Sequence, residues 1–141
     1  MKFSFHKYQG TGNDFVMIDD RARDFPARDH SFVERCCDRR FGIGADGLIL
    51  LQQSSTADFK MVYFNADGRE STLCGNGARC AVAFAASLGI ITTQARFETI
   101  DGEHTAVLEA DGSVSLRMHN VEAINCAEGY TFLDTGSPHH V

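Results

Sequence analysis

The sequence predicts an α+β domain in which a strongly curved, mostly antiparallel sheet wraps around one central apolar helix. Two observations carry that reading. Short segments of alternating apolar and polar residues recur along the chain, the last three separated by Asp101-Gly102 and Asp111-Gly112, dipeptides suited to tight hairpin turns. Against them stands residues 78–88, ARCAVAFAASL, where only Arg79 and Ser87 are strongly polar. A helix apolar nearly all round must be buried nearly all round. With so many strands about it, the economical arrangement is a curved sheet closed around that helix, whose alanines let strands approach closely.

Taken in order, residues 2–8 and 15–19 read as strands joined by the turn QGTGND. In SFVERCCDRRFG, residues 31–42, Ser31 and Glu34 have the spacing of a helix capping box, and Gly42 is placed to end the helix after Arg39-Arg40. Residues 48–53 and 59–64 form a second apolar strand pair, split by SSTAD. The central helix follows and Gly89 stops it. Residues 96–100, 105–109 and 114–119 then make an antiparallel meander. No internal repeat, low-complexity segment or convincing linker precedes EAINCAEGY.

A chain of 141 residues is long enough for one domain with a real core and short for a two-domain enzyme. Lys and Arg total 13 against 19 Asp and Glu, a net charge of −6, which argues against a nucleic-acid surface. No apolar run approaches the roughly 18–20 residues of a membrane span. The N-terminus MKFSFHKYQG lacks a signal-peptide core, so the cytoplasm is the expected compartment. Five cysteines at irregular spacing, without an export signal, read as free thiols rather than a disulfide framework. Zinc-ligand spacing is absent, and Cys36-Cys37 fits ordinary helix packing.

The stretch LCGNG, residues 73–77, holds the candidate chemistry. A helix beginning near Asn76 or Gly77 puts Cys74 just before an end that carries unpaired N–H groups and positive partial charge. That end should favour the thiolate, and the same N–H groups can hold an anion that Gly75 lets approach. A bound carboxylate would have its α-carbon beside the sulfur, a layout for removing an α-proton. A buried thiol before a helix that merely needs glycine for its turn is the competing explanation.

The blocks GTGNDF, GIGADG, NADGRESTLCGNGARC and DTGSPHHV occur in the order and spacing of diaminopimelate epimerase, and the resemblance runs from the N-terminus to Val141. It implies an isomerase without metal, pyridoxal phosphate or other cofactor, interconverting LL- and meso-diaminopimelate for lysine and peptidoglycan synthesis. Two cysteines on opposite faces of the α-carbon would do the chemistry, one as thiolate and one as thiol. Cys74 matches the first. The second belongs to a pseudo-symmetric C-terminal half, so residues 1–141 would be the N-terminal domain, inactive alone. Cys80 matches a cysteine pointing away from substrate, and Cys126 has no helix start after it.

By the same resemblance, Gly75 and Asn76 offer backbone donors to the reacting carboxylate, Asn13 and Asn65 contact substrate, and His139 supports Cys74. Two positions depart from the pattern. Some relatives have a substrate-contacting glutamine where Gly47 stands, and many have an asparagine where Ser137 stands, which contacts the substrate's distal end. The family also implies a homodimer. The rival readings are a proline racemase, which favours histidine at the place of Asn76; a phenazine-type isomerase, which replaces the cysteine by a carboxylate; and an isolated domain that only binds a carboxylate.

Overall fold

A computed structural model describes residues 2–141. The first hairpin pairs β1 (His6–Gly10) with β2 (Asn13–Asp19). Its two-residue turn has Thr11 at φ 53° and Gly12 at φ 84°, the positive values that match a turn to the twist of its strands. The strand starts later than the alternation implied. Upstream, Phe3 is edge-on to Phe25 and Phe32, at 5.3 and 5.8 Å.

Helix α1 (His30–Cys37) corrects the expected capping. Asp29, not Ser31, is the N-cap, and its Oδ1 accepts the N–H of Phe32 at 3.0 Å. The carboxylate sits two residues earlier and reaches the third helical N–H, so Ser31 falls inside the helix. At the other end Asp38 caps the helix, and its carboxylate takes the N–H groups of Arg40 and Phe41, both at 2.7 Å. The chain reverses there. Gly42 is therefore not the helix stop but the point where the chain lies back on α1, with a Cβ at 42 standing only 1.8 Å from the Arg35 carbonyl oxygen.

The remaining elements are β3 (Gly47–Gln52), β4 (Phe59–Asn65), α2 (Gly75–Ser87), β5 (Gln94–Thr99), β6 (Gly102–Leu108) and β7 (Val114–Leu116). Strands β1 to β7 form one sheet in sequence order. Four joins are antiparallel; β2–β3 and β4–β5 are parallel. Parallel neighbours need a crossover, and α1 and α2 supply the two. Alternate residues of the central strands serve two cores. Met17, Ile49, Leu51 and Met61 pack with α2, while Val16, Leu48, Leu50 and Val62 pack with α1. Helix α2 touches β1, β2, β3, β4, β6 and β7, which is the wrapped arrangement its composition demanded.

The sequence pattern did not anticipate a second sheet. Strands β8 (Ile124–Ala127), β9 (Tyr130–Asp134) and β10 (Pro138–His140) pair antiparallel in the order β10-β9-β8. No helix among the described residues is long and apolar enough to cross a membrane.

Candidate active site

Cys74 is the N-cap of α2, one residue closer to the helix than its sequence implied. Its backbone is extended (φ −102°, ψ 117°), and its Sγ accepts the N–H of Gly77 at 3.4 Å. Among the described residues the N–H groups of Gly75 and Asn76 have no protein acceptor, the ordinary condition of a helix's first turn. Glycine at 77 fits a tight place, since a Cβ there would lie 2.9 Å from Ile49 Cδ1. The sequence of this turn therefore sets a sulfur and two free donors side by side.

Asn13, at the start of β2, holds this turn from the side. Its Oδ1 accepts from Cys74 Sγ at 3.6 Å and, at long range, from Asn76 Nδ2 at 3.5 Å. Its Nδ2 donates to Asp46 Oδ2 at 2.8 Å. Behind it lies a charge network: Arg39 binds Asp14 at 2.7 Å and Asp46 at 3.0 Å, and Lys7 binds Asp14 at 2.8 Å. The Arg39 guanidinium holds the Asp14 carboxyl well below the usual carboxylate range, and the Asn13 amide lowers Asp46. The network ties the loops GTGND and GIGADG together beside the thiol.

A cavity of about 410 Å³ opens in front of Cys74, and Asn65, Gly75, Asn76, Ser137 and His139 line it as well. The fold thus brings six of the seven sequence-derived site residues to one space, with Asn13 contacting it through Cys74. Asn65 ends β4, and its carbonyl accepts the N–H of Gly68 at 2.9 Å in the turn that follows. Ser137 donates to the Leu73 carbonyl at 2.8 Å, so it fastens the β9–β10 turn to the residue before Cys74. His139 Nε2 lies 3.1 Å from Thr135 Oγ1, and no hydrogen bond joins it to Cys74 among the described residues.

Tyr63, Arg79, Met118 and Thr135 also line the cavity. Sequence reasoning did not single them out. Arg79 sits in the LCGNGARC motif, and its Nη1 comes within 3.2 Å of where a Gly75 Cβ would stand. Gly47 has a different meaning in three dimensions: a Cβ there would lie 2.6 Å from Tyr63 Cε2 and 2.7 Å from the Phe64 carbonyl oxygen. The other thiols are set apart by their surroundings. Cys36, Cys37 and Cys80 are buried and Cys126 is exposed. Burial, with Cys74 nearby, pushes Cys80 up to about 11, and burial with Cys36 alongside does the same to Cys37.

Among the described residues one group has donor atoms spaced for a metal ion, namely Asp101, His104 and His119. Two of its three members already share a hydrogen-bonding partner, Thr99. Thr99 donates its proton to Asp101 and accepts from His104 Nε2 at 3.1 Å.

The curled sheet closed around a central helix is a fold that solved structures share. The chain superposes on a phenazine biosynthesis protein of the PhzF family from Bacillus anthracis with TM-score 0.67 at 15% identity, covering 98% of this chain and 53% of that one. A probable proline racemase from Agrobacterium radiobacter gives 0.66 at 13%, covering 99% and 51%. At such identities the likeness is one of fold. Sequence decides the family: the family model for diaminopimelate epimerase matches residues 5–124, and the chain belongs to that family. It is 57% identical over 136 residues to diaminopimelate epimerase of Flavobacterium psychrophilum, covering 96% of this chain and 53% of the relative. The enzyme of Chlorobaculum tepidum is 46% identical over 139 residues, covering 94% and 54%. The chain spans about half the length of these curated relatives.

Proposed function

We propose that residues 1–141 are the N-terminal domain of a diaminopimelate epimerase that interconverts the LL and meso forms without a cofactor. The observation that carries this is Cys74 at the N-cap of α2, open to the cavity and adjoining the free N–H groups of Gly75 and Asn76. A carboxylate taking those two donors sets its α-carbon beside the sulfur. A negative sulfur there is stabilised by the Gly77 N–H and by the positive end of the helix.

The Cys74 thiolate removes the α-proton, leaving its electron pair delocalised into the adjacent carboxyl group. A second acid, a cysteine in the remainder of the protein, returns a proton to the opposite face. Asn13 and Asn65 contact the substrate's polar groups. Ser137, whose proton is on Leu73, meets the distal end as an acceptor. His139 turns from Thr135 to exchange a proton with Cys74, as imidazole is suited to do near neutrality. Family membership supports a homodimeric cytoplasmic enzyme serving lysine and peptidoglycan synthesis, and the net charge of −6 fits a small-molecule enzyme rather than a nucleic-acid binder.

The test is made on the intact protein carrying this chain, with LL-diaminopimelate followed by circular dichroism. Cys74→Ala should abolish epimerisation. Cys74→Ser should leave only a trace, because a hydroxyl is too weak an acid to supply the base, while calorimetric affinity changes little. Loss of binding together with turnover would refute the acid–base role.

A further inference from the structure

We propose that Tyr63 is a substrate-contacting residue, its hydroxyl donating a hydrogen bond to the polar head of the ligand from a place that exists because residue 47 has no side chain. The proposal rests on the reading that the Cys74 cavity takes an amino acid.

Four observations converge on it. Tyr63 lies on β4 on the face turned toward α2, packed against the same core as Phe59 and Met61. Its ring is edge-on to Phe15 at 6.1 Å and 77°, and its flank covers Gly47. A Cβ at 47 would stand 2.6 Å from Cε2 and 3.3 Å from the hydroxyl oxygen, so ring and hydroxyl both occupy space that any other residue at 47 would claim. The ring also lines the cavity with Cys74, Gly75 and Asn76.

The hydroxyl makes no hydrogen bond to protein among the described residues, yet no buried polar side-chain atom there lacks a partner. The oxygen therefore reaches open space, and the space beside it is the cavity. Phenylalanine would fill the same volume without an unpaired O–H, so packing alone gives no reason for the oxygen. Burial, with Cys74 close enough to add to it, pushes the phenol up to about 12. It stays protonated while Cys74 carries negative charge, and is a donor throughout the reaction. The cavity wall it shares with Cys74, Gly75 and Asn76 puts Tyr63 at the head group.

Tyr63→Phe in the intact protein tests this, since the ring and its contact with Phe15 remain. KM for diaminopimelate should rise about tenfold with kcat within about threefold of wild type, the signature of lost uniform binding, and the melting temperature should hold. Calorimetric Kd should rise by the same factor. An unchanged KM and Kd, or a fall in kcat alone, overturns the proposal. A wild-type protein that binds diaminopimelate but never epimerises it would refute the functional reading instead, and the Kd comparison would still decide the role of Tyr63. Gly47→Ala supplies a second arm. Its Cβ displaces the ring, so it should raise Kd as Tyr63→Phe does, and wild-type affinity in a folded Gly47→Ala protein counts against the proposal.

Discussion

Cys74 differs from the other four cysteines in what surrounds its sulfur. Cys37 and Cys80 are pushed up to about 11 by burial, Cys36 is raised for the same reason, and Cys126 is exposed with no helix start beside it. Only Cys74 combines access from a cavity with a backbone N–H on its sulfur. With limiting iodoacetamide near neutral pH, Cys74 should be alkylated first and Cys126 more slowly, with the three buried thiols protected. Mass spectrometry of competitive labelling reads the order; equal labelling of Cys74 and Cys126 would remove the activation argument. This residue was legible in the sequence because its glycines and the apolar run after it are local. Tyr63 was not, because its significance depends on Gly47 across a strand pair, and neither residue marks the other in sequence.

At the scale of elements, period and turn chemistry located most of the strands, and the apolar run located α2. The ends were less legible. Ser31 and Glu34 have capping-box spacing, but Asp29 stands upstream and reaches Phe32 N–H first, and competition between neighbouring acceptors is not visible in a spacing rule. The corrected cap has a consequence. Asp29→Ala should cost about 1 kcal/mol, the usual value of an N-cap side chain, and lower the melting temperature by a few degrees. Ser31→Ala, at an exposed position inside the helix, should change stability little. Thermal melts of the two variants compare them directly; the reverse ranking would restore Ser31 as the cap.

The whole molecule holds what local pattern could not give: two sheets and the junction between them. The three-stranded sheet went unread because its strands are short and mostly exposed, so burial leaves no alternation in them. It meets the seven-stranded sheet where Ser137 grips Leu73, and where a Cβ at Gly136 would lie 3.2 Å from His119 and 3.6 Å from Asp101. His104 lies beneath this junction, 3% exposed, with its ring 4.7 Å from His119 and 5.6 Å from Phe97. Burial lowers His104 from the ordinary 6.5, against the opposing pull of Asp101 and with help from His119. The folded protein therefore binds this proton less readily than the unfolded chain does. Stability is fully present above the ordinary histidine value and declines as pH falls from about 6.5 toward the lowered folded value, because the unfolded state takes up the proton first. Asp14, Asp19 and Asp46, all lowered from 3.8, withdraw their stabilisation at more acid pH and leave this window largely to histidine. Urea unfolding at pH 7 and pH 5 should show a larger loss for wild type than for His104→Gln, whose amide can still donate to Thr99 but does not titrate. A loss of equal size in both proteins would mean that the Asp101 carboxylate cancels the effect of burial on His104 and that the junction carries no acid sensitivity of its own, and a smaller loss in wild type would mean that Asp101 outweighs burial.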